Sequence, residues 1–342
     1  MPRRRLRPIV TTVLVVAAMA AVTGVIAHSV VPSASAAPAA PLLDSAQIDS
    51  APAASLFRGG LSVPTQSQAA TAVAGLTREG KRAEAATVAQ IAAQPVSLWL
   101  GDWYSDDELV SVIRGSLADA AKQGATPSFV LYAIPNRDCG DYSSGGFTAS
   151  EYEHFVGLVA KTLQGRRAVV LDEPDALAML SNCPSEASTR IPLIKESVRT
   201  LARAGVATYL DGGNSHWVDP ATMAARLTAA RVDQARGFFS NVSNFYPTAD
   251  ETAYDDTLSG LTGGAHYVID TSRNGQGWKG TWCNPSGAGL GLPPAVADGT
   301  TKLDATLWVK TPGASDGTCN GGPAAGSWWT SYALALVKNR AK

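Results

Sequence analysis

What this 342-residue chain lacks narrows its function first. It has no excess charge of either sign, since 28 Lys+Arg stand against 29 Asp+Glu for a formal net charge of -1. That balance gives no long-range attraction to nucleic acid or to an anionic membrane surface, so neither is expected as a partner. It has only four histidines and four cysteines, with no C-x-x-C pair and no H-E-x-x-H. The spacings of the common zinc sites are therefore missing, and no metal or other cofactor is expected. No internal repeat and no second domain is evident. With 45% hydrophobic and only 17% charged residues, the chain is long enough to bury one large core.

The N-terminus carries an export pattern. Arg3, Arg4 and Arg5 precede an apolar run from Ile9 to Ile26, and small residues then lead to Ala34-Ser35-Ala36. A basic start, an apolar middle and a small-x-small site predict a secretory signal peptide over residues 1–36. An uncleaved membrane anchor is the alternative, because the run is nearly long enough to span a bilayer. On either reading the remainder lies outside the cytoplasm. After cleavage the protein is expected to be secreted, monomeric and free of the membrane. Cys139, Cys183, Cys283 and Cys319 then favour two disulfides in an oxidising compartment. Residues 37–52, rich in Ala, Pro and Ser, read as a tether, and residues 53–342 as one domain.

Seven short β-branched or aromatic runs recur along that domain: Ser97–Leu100, Ser128–Ile134, Ala168–Asp172, Ala207–Asp211, Gly237–Val242, His266–Asp270 and Thr306–Lys310. They are continuous rather than alternating, as in strands buried on both faces of a parallel sheet. Helical patterns lie between them, at Asp106–Gln123, Ser150–Leu163, Thr189–Ala204 and Pro220–Ala230. The alternation predicts an α/β fold, a distorted (β/α) barrel of about seven parallel strands. A formal G-x-G-x-x-G occurs at Gly275–Gly280. No helix pattern follows it, so it reads as a glycine-rich loop and not a dinucleotide site.

Nearly every run is followed by a polar group. Asp138 follows the second, Asp175 the third and Asp211 ends the fourth. Asn241 and Asn244 close the fifth, Asp270 and Arg273 the sixth, Lys310 and Asp316 the seventh. In a barrel these strand ends converge on one face, which would bring distant carboxylates into one cleft. Any single Asp there could equally be a turn or helix-cap residue. Together they suit hydrolysis of a glycosidic bond, which needs a protonated acid at the leaving oxygen and a second carboxylate acting on water or the sugar. An apolar setting and a neighbouring carboxylate can keep the acid protonated near neutral pH.

The ordered motifs Tyr132…Pro135-Asn136-Arg137-Asp138-Cys139, Glu173-Pro174-Asp175, Tyr209-Leu210-Asp211-Gly212, Asn241-Val242-Ser243-Asn244, Ile269-Asp270-Thr271-Ser272-Arg273-Asn274-Gly275, Trp282-Cys283 and Lys310…Pro312-Gly313…Asp316-Gly317 closely resemble glycoside hydrolase family 6. That family comprises endoglucanases and cellobiohydrolases. The resemblance runs from about Pro95 to about Tyr332. It implies inverting hydrolysis of β-1,4-glucan, with a cellulose-like polysaccharide as partner. By motif, Asp175 matches the general acid, and Asp138 the carboxylate that raises the acid's pKa and handles water. Asp316 and Asp211 are the two base candidates; a proton could instead pass along water through Asp138 and Ser144. Tyr132 matches the residue that distorts the sugar. Trp99, Trp217 and Trp282 match the sugar platforms, with Asn244 and Lys310 beside them. The cysteines match bridges Cys139–Cys183 and Cys283–Cys319.

Trp103, Trp278, Trp328 and Trp329 have no clear match, and core packing is expected for most of them. His216 is expected at the surface or packed. Two departures concern sugar-contacting positions: Ala314 where the family usually has Glu, and Asn214 where many members have His. A short segment between Asp211 and Asp316 favours an open groove and endo-action, with an exo-acting cellobiohydrolase as the alternative. A non-catalytic carbohydrate-binding protein would have to lose an essential carboxylate, and none is missing. The formal G-x-S-x-G at Gly313–Gly317 argues weakly for a serine esterase, since neither a helix nor a later histidine follows. The sequon Asn241-Val242-Ser243 overlaps a substrate-facing motif and reads as coincidence.

Overall fold

The structure is a computed structural model that describes Ile48 and residues 50–341. The expected signal segment, and the tether as far as residue 47, lie outside the described residues. Seven strands run parallel in chain order: β1 (Leu98–Gly101), β2 (Ser128–Tyr132), β3 (Val169–Asp172), β4 (Ala207–Asp211), β5 (Gly237–Ser240), β6 (His266–Asp270) and β8 (Leu303–Leu307). The short β7 (Ala295–Val296) lies antiparallel on the far side of β8, so the sheet is mixed and has eight strands. It curls until Val96 forms a single parallel bridge with Trp308, where Ser97 N donates to Trp308 O at 3.0 Å. Beyond that one bridge β1 and β8 do not pair, so the barrel is distorted along this seam.

The expected strands fall within a few residues of those observed, with one slip. The run Thr306–Lys310 does not form its strand there; β8 ends at Leu307. Trp308 and Val309 are buried nonetheless, and burial with no more than the single Val96 bridge is what made them read as strand. β7 was not foreseen, because two residues carry no period.

Helices pack outside the sheet. The main ones around the barrel are α4 (Asp106–Gln123), α5 (Ala149–Leu163), α6 (Ala187–Arg203), α7 (Pro220–Ala229) and α8 (Thr248–Leu261). Preceding α4 in the chain are a single turn, α1 (Ala53–Leu56), and a pair, α2 (Gln68–Arg78) and α3 (Arg82–Ala92). The terminal α9 (Thr330–Lys338) packs with that pair. Their ends are written locally. Ser105 and Glu108 form a capping box at the start of α4, and Gly124 closes it at φ 67°. Thr148 and Glu151 repeat the box on α5, while Asp219 caps α7 with Pro220 in its first turn.

Strand residues alternate between two buried faces. Phe129, Leu131, Val170, Leu210, Phe238 and Ile269 pack toward the helices. Val130, Val169, Leu171, Tyr209, Phe239 and Val268 fill the barrel interior, together with Leu56, Phe57 and Ile48. Ile48 corrects the expected boundary. It is buried and its carbonyl accepts from Arg236 Nη1 at 2.9 Å, so folded structure begins before residue 53.

Arg236 also anchors a buried network. It makes a two-pronged pair with Asp304 at 2.7 and 2.8 Å, and Tyr209 OH and His266 Nδ1 join the same carboxylate at 2.7 and 3.0 Å. Removing one member of such a pair strands a charge in a dry place. Asp304→Ala is therefore expected to lower unfolding free energy by about 3–5 kcal/mol, read as an earlier urea midpoint with an unchanged slope.

Candidate active site

The polar groups at the strand ends divide into two sets. Glu173, Asp211 and Asp270 are buried and spend their oxygens on backbone amides. Glu173 accepts from Ala133 N and Ile134 N at 2.9–3.2 Å, fixing the loop after β2. Asp211 accepts from Leu177 N (3.0 Å), Ala178 N (2.8 Å) and Gly213 N (2.9 Å), fixing the loop after β3. Asp270 accepts from Ser243, Ser272, Val309 and Lys310 amides at 2.8–3.3 Å, tying the loops after β5, β6 and β8 together. Burial raises the pKa of all three and outweighs these amide bonds, leaving Glu173 at about 7.

The second set faces a cleft of about 1070 Å³ at the C-terminal ends of the strands. Asp138, Asp175, Asp316, Tyr132 and Ser144 line it, as do Trp99, Trp217, Trp282, Asn244 and Lys310. Every residue expected in the site is thus brought together except Asp211, which stands behind Asp175 and does not line the cleft. Asp175 follows β3 on a strained turn in which Glu173 and Asp175 have φ of 56° and 71°. Side chains of this type rarely adopt that region, and such strain persists only where the surroundings fix it. Here the Glu173 and Asp211 amide bonds supply the fixing.

The three cleft carboxylates are held in different states. Burial pushes the Asp175 carboxyl well above its ordinary value; Asp211 and Asp138 add to the shift, and Lys310 opposes it. Asp138 also moves up through burial, against a 2.8 Å bond from Ser143 N. Asp316 goes the other way. Burial alone would raise it, but Arg273 Nη1 at 2.8 Å and Lys310 Nζ at 3.1 Å hold its carboxylate ionised. Asn284 N adds a third bond at 2.9 Å, and Asn284 Oδ1 takes the Asp316 amide in return.

Both disulfides form between the residues the resemblance implied. Cys139–Cys183 joins the chain after Asp138 to the chain after Asp175, and Cys283–Cys319 braces the Asp316 loop beside Asn284. Arg137 fixes the other side of the Asp138 loop. It donates to Ser143 O and Tyr132 O at 2.8 and 2.6 Å and pairs with Asp102 at 2.8 Å. Its guanidinium also lies 4.6 Å over the Tyr132 ring. Buried Arg190, on α6, links both acid loops by donating to Asn136 O and Ala176 O.

Sequence reasoning missed Asp102, Arg190 and Asn284 as parts of this site. Only Asn284 had a signal, its place next to Cys283. Two aromatic expectations also need correction. Trp103 and Trp278 are 49% and 40% exposed and line the cleft, whereas Trp328 and Trp329 pack as expected. His216 also lines the cleft. The esterase alternative fails locally, because buried Ser315 donates to Gly317 O and Pro323 O and no helix follows. The sequon is closed as well. Asn241 is buried, with its amide donated to Asp270 O and Tyr246 O.

Residues 60–340 match the family described as Glycosyl hydrolases family 6. Endoglucanase A of Cellulomonas fimi is 42% identical over 254 residues, 74% of this chain and 56% of that protein. The chain thus spans little more than half of that relative. Endoglucanase 1 of Streptomyces halstedii is 37% identical over 266 residues, covering 74% of this chain and 81% of that protein. Among solved structures, the endoglucanase Cel6 from Mycobacterium tuberculosis, in complex with methyl-cellobiosyl-4-deoxy-4-thio-β-D-cellobioside, has a TM-score of 0.76 at 42% identity. That match covers 82% of this chain and 96% of the other. The catalytic core of the cellobiohydrolase Cel6A from Chaetomium thermophilum has a TM-score of 0.74 at 26% identity, covering 84% and 98%.

The ion pairs on Asp316 yield a signed prediction. A carboxylate depressed in the fold stabilises above its unfolded value of about 3.9 and loses that as pH falls through the folded value. Arg273→Met is expected to raise the Asp316 titration, followed by carboxyl 13C NMR. The variant's stability deficit relative to wild type should narrow as pH drops below about 4.

Proposed function

The chain belongs to glycosyl hydrolases family 6, and from that premise we propose that it is an exported, inverting hydrolase of internal β-1,4-glucosidic bonds. The observation that carries this reading is the opposition of charge states across one aromatic-lined cleft. Asp175 is set to hold a proton, while Asp316 is set to remain an anion.

An inverting cleavage needs an acid on the leaving oxygen and an acceptor for the proton of a water attacking the opposite sugar face. Asp175 supplies the acid, since its raised pKa keeps it protonated where an ordinary aspartate would be ionised. As the bond breaks, positive charge builds on the sugar ring, and the fixed Asp316 carboxylate stabilises it electrostatically. Asp316 is a poor base, because taking a proton would give up its pairs with Arg273 and Lys310. Asp211 is unsuited to direct contact, with both oxygens on backbone amides and no face on the cleft. Asp138 is the better acceptor. It lines the cleft near Ser144, its pKa is raised, and its charge is one that keeps Asp175 protonated. When Asp175 releases its proton, Asp138 takes one up through Ser144 and water, and the net charge of the pair is unchanged.

Tyr132 sits near Asp175 and Asp138, with Trp99 edge-on at 5.0 Å and the Arg137 guanidinium 4.6 Å over its ring. That fixed ring presses on the sugar at the cleavage point and helps distort it. Trp99, Trp217 and Trp282 present apolar faces suited to sugar C–H surfaces. Endo-action is supported by the endoglucanase names of relatives at 37–42% identity, against cellobiohydrolase names at 26–28%. Export is supported by the two disulfides, which persist in oxidising compartments.

Asp175→Asn is expected to lower turnover of carboxymethyl cellulose by about 10²–10⁴, leaving the binding constant within a few-fold. Viscosity should fall steeply per reducing end with the wild type; slow release at nearly constant viscosity would favour exo-action. Retained turnover in the variant would overturn the acid assignment. The pH profile gives an independent check. Activity should fail on the alkaline side as Asp175 ionises and on the acid side as Asp138 protonates. Asp138→Asn removes a negative neighbour, so its residual activity should lose the alkaline side at lower pH than wild type.

A further inference from the structure

At the end of the cleft beside Trp217, three loops each contribute one ring to a single stack. His216 comes from the loop after β4, Tyr246 from the loop after β5, and Trp278 from the loop after β6. The His216 and Tyr246 rings are 4.1 Å apart and 8° from parallel; Tyr246 and Trp278 are 5.2 Å apart and 7° from parallel. All three line the cleft that holds Asp175.

The stack is held from beneath. Ser215 Oγ meets His216 Nδ1 at 2.8 Å and donates to buried Glu251 Oε1 at 2.6 Å, which ties the first ring to α8. The backbone of Tyr246 is fixed by both ends of the Asn241 amide and by Asn274 Nδ2 at 3.0 Å. Trp278 follows Gly277, whose φ of 65° lets the chain turn there. Tyr246 has partners on both faces, so the free faces belong to the outer rings. Trp278, 40% exposed, offers the larger one. A large aromatic left open to water beside a binding cleft, with its plane fixed by neighbours, is a preorganised surface for a flat apolar face.

We propose that the His216–Tyr246–Trp278 stack is an additional sugar platform that extends the cleft past Trp217 and takes a distal glucose unit of the bound glucan. This rests on the reading of the cleft as a β-glucan site. On that reading, chains long enough to reach Trp278 gain a contact that short ones do not.

The test compares kcat/KM on cellohexaose with that on cellotriose. Trp278→Ala is expected to lower the ratio of long to short about tenfold, mainly through KM, and Trp278→Phe to restore most of it. An unchanged ratio in Trp278→Ala, or equal losses on both substrates, would overturn the proposal, since a purely structural clasp would affect both alike. Thermal melting of both variants separates a folding defect from either result. Binding of the two oligosaccharides to Asp175→Asn and to Asp175→Asn/Trp278→Ala gives the same ratio without turnover. If wild type cleaves neither substrate, the proposed function fails, while this binding ratio still decides the platform.

Discussion

Carboxylates crowded at one end of a barrel cannot all be ionised without a large electrostatic penalty, and the molecule resolves that conflict residue by residue. Asp316 is granted its charge by two cations and an amide. Asp211 and Asp270 are bound to backbone amides. Asp175, with Lys310 as its main opposing influence, is pushed by burial and its acidic neighbours toward the protonated form. The chemistry we propose is a consequence of that allocation. Moving any one of these charges would alter the others, because they share a poorly hydrated space in which Coulomb interactions are weakly screened.

The same carboxylates serve the architecture. Glu173 and Asp211 hold the loops after β2 and β3 in left-handed turns that would otherwise relax. The disulfide Cys139–Cys183 and buried Arg190 couple those loops to each other. A barrel closed by one bridge between Val96 and Trp308 leaves the strand ends free to carry such loops, and Asp270 ties three of them together. Rigidity at the site thus comes from polar groups at strand ends, and rigidity of the barrel from its apolar interior.

Much of this was legible in the sequence, for identifiable reasons. Strands buried on both faces read as continuous apolar runs, so six of the seven parallel strands were located within a few residues. Helices α2, α3, α8 and α9 lie outside the four helical patterns read from the sequence; α8 has the weakest contrast between faces, whereas α2 has a clear apolar face that offered a signal. The rule that polar residues follow strands was visible, but its division into cleft and amide-binding groups was not, because both classes are aspartates or glutamates in similar positions. Asp211 illustrates this: its motif matched a base candidate, and only the packing shows its oxygens already taken. Arg190 lies in the first turn of α6 with no local mark of its partners. Trp278 and Trp103 read as core because tryptophan usually is core, and only the fold places them on the cleft.

Whether Asp175 and a second group act on opposite faces of the sugar with water between is read from the anomer first released. Proton NMR during early hydrolysis of a soluble cello-oligosaccharide distinguishes the two forms before mutarotation mixes them. The new reducing end is expected to appear as the α-anomer, inverted from the β-linkage. Initial release of the β-anomer would mean a covalent, retaining route, and would contradict the roles assigned to these carboxylates.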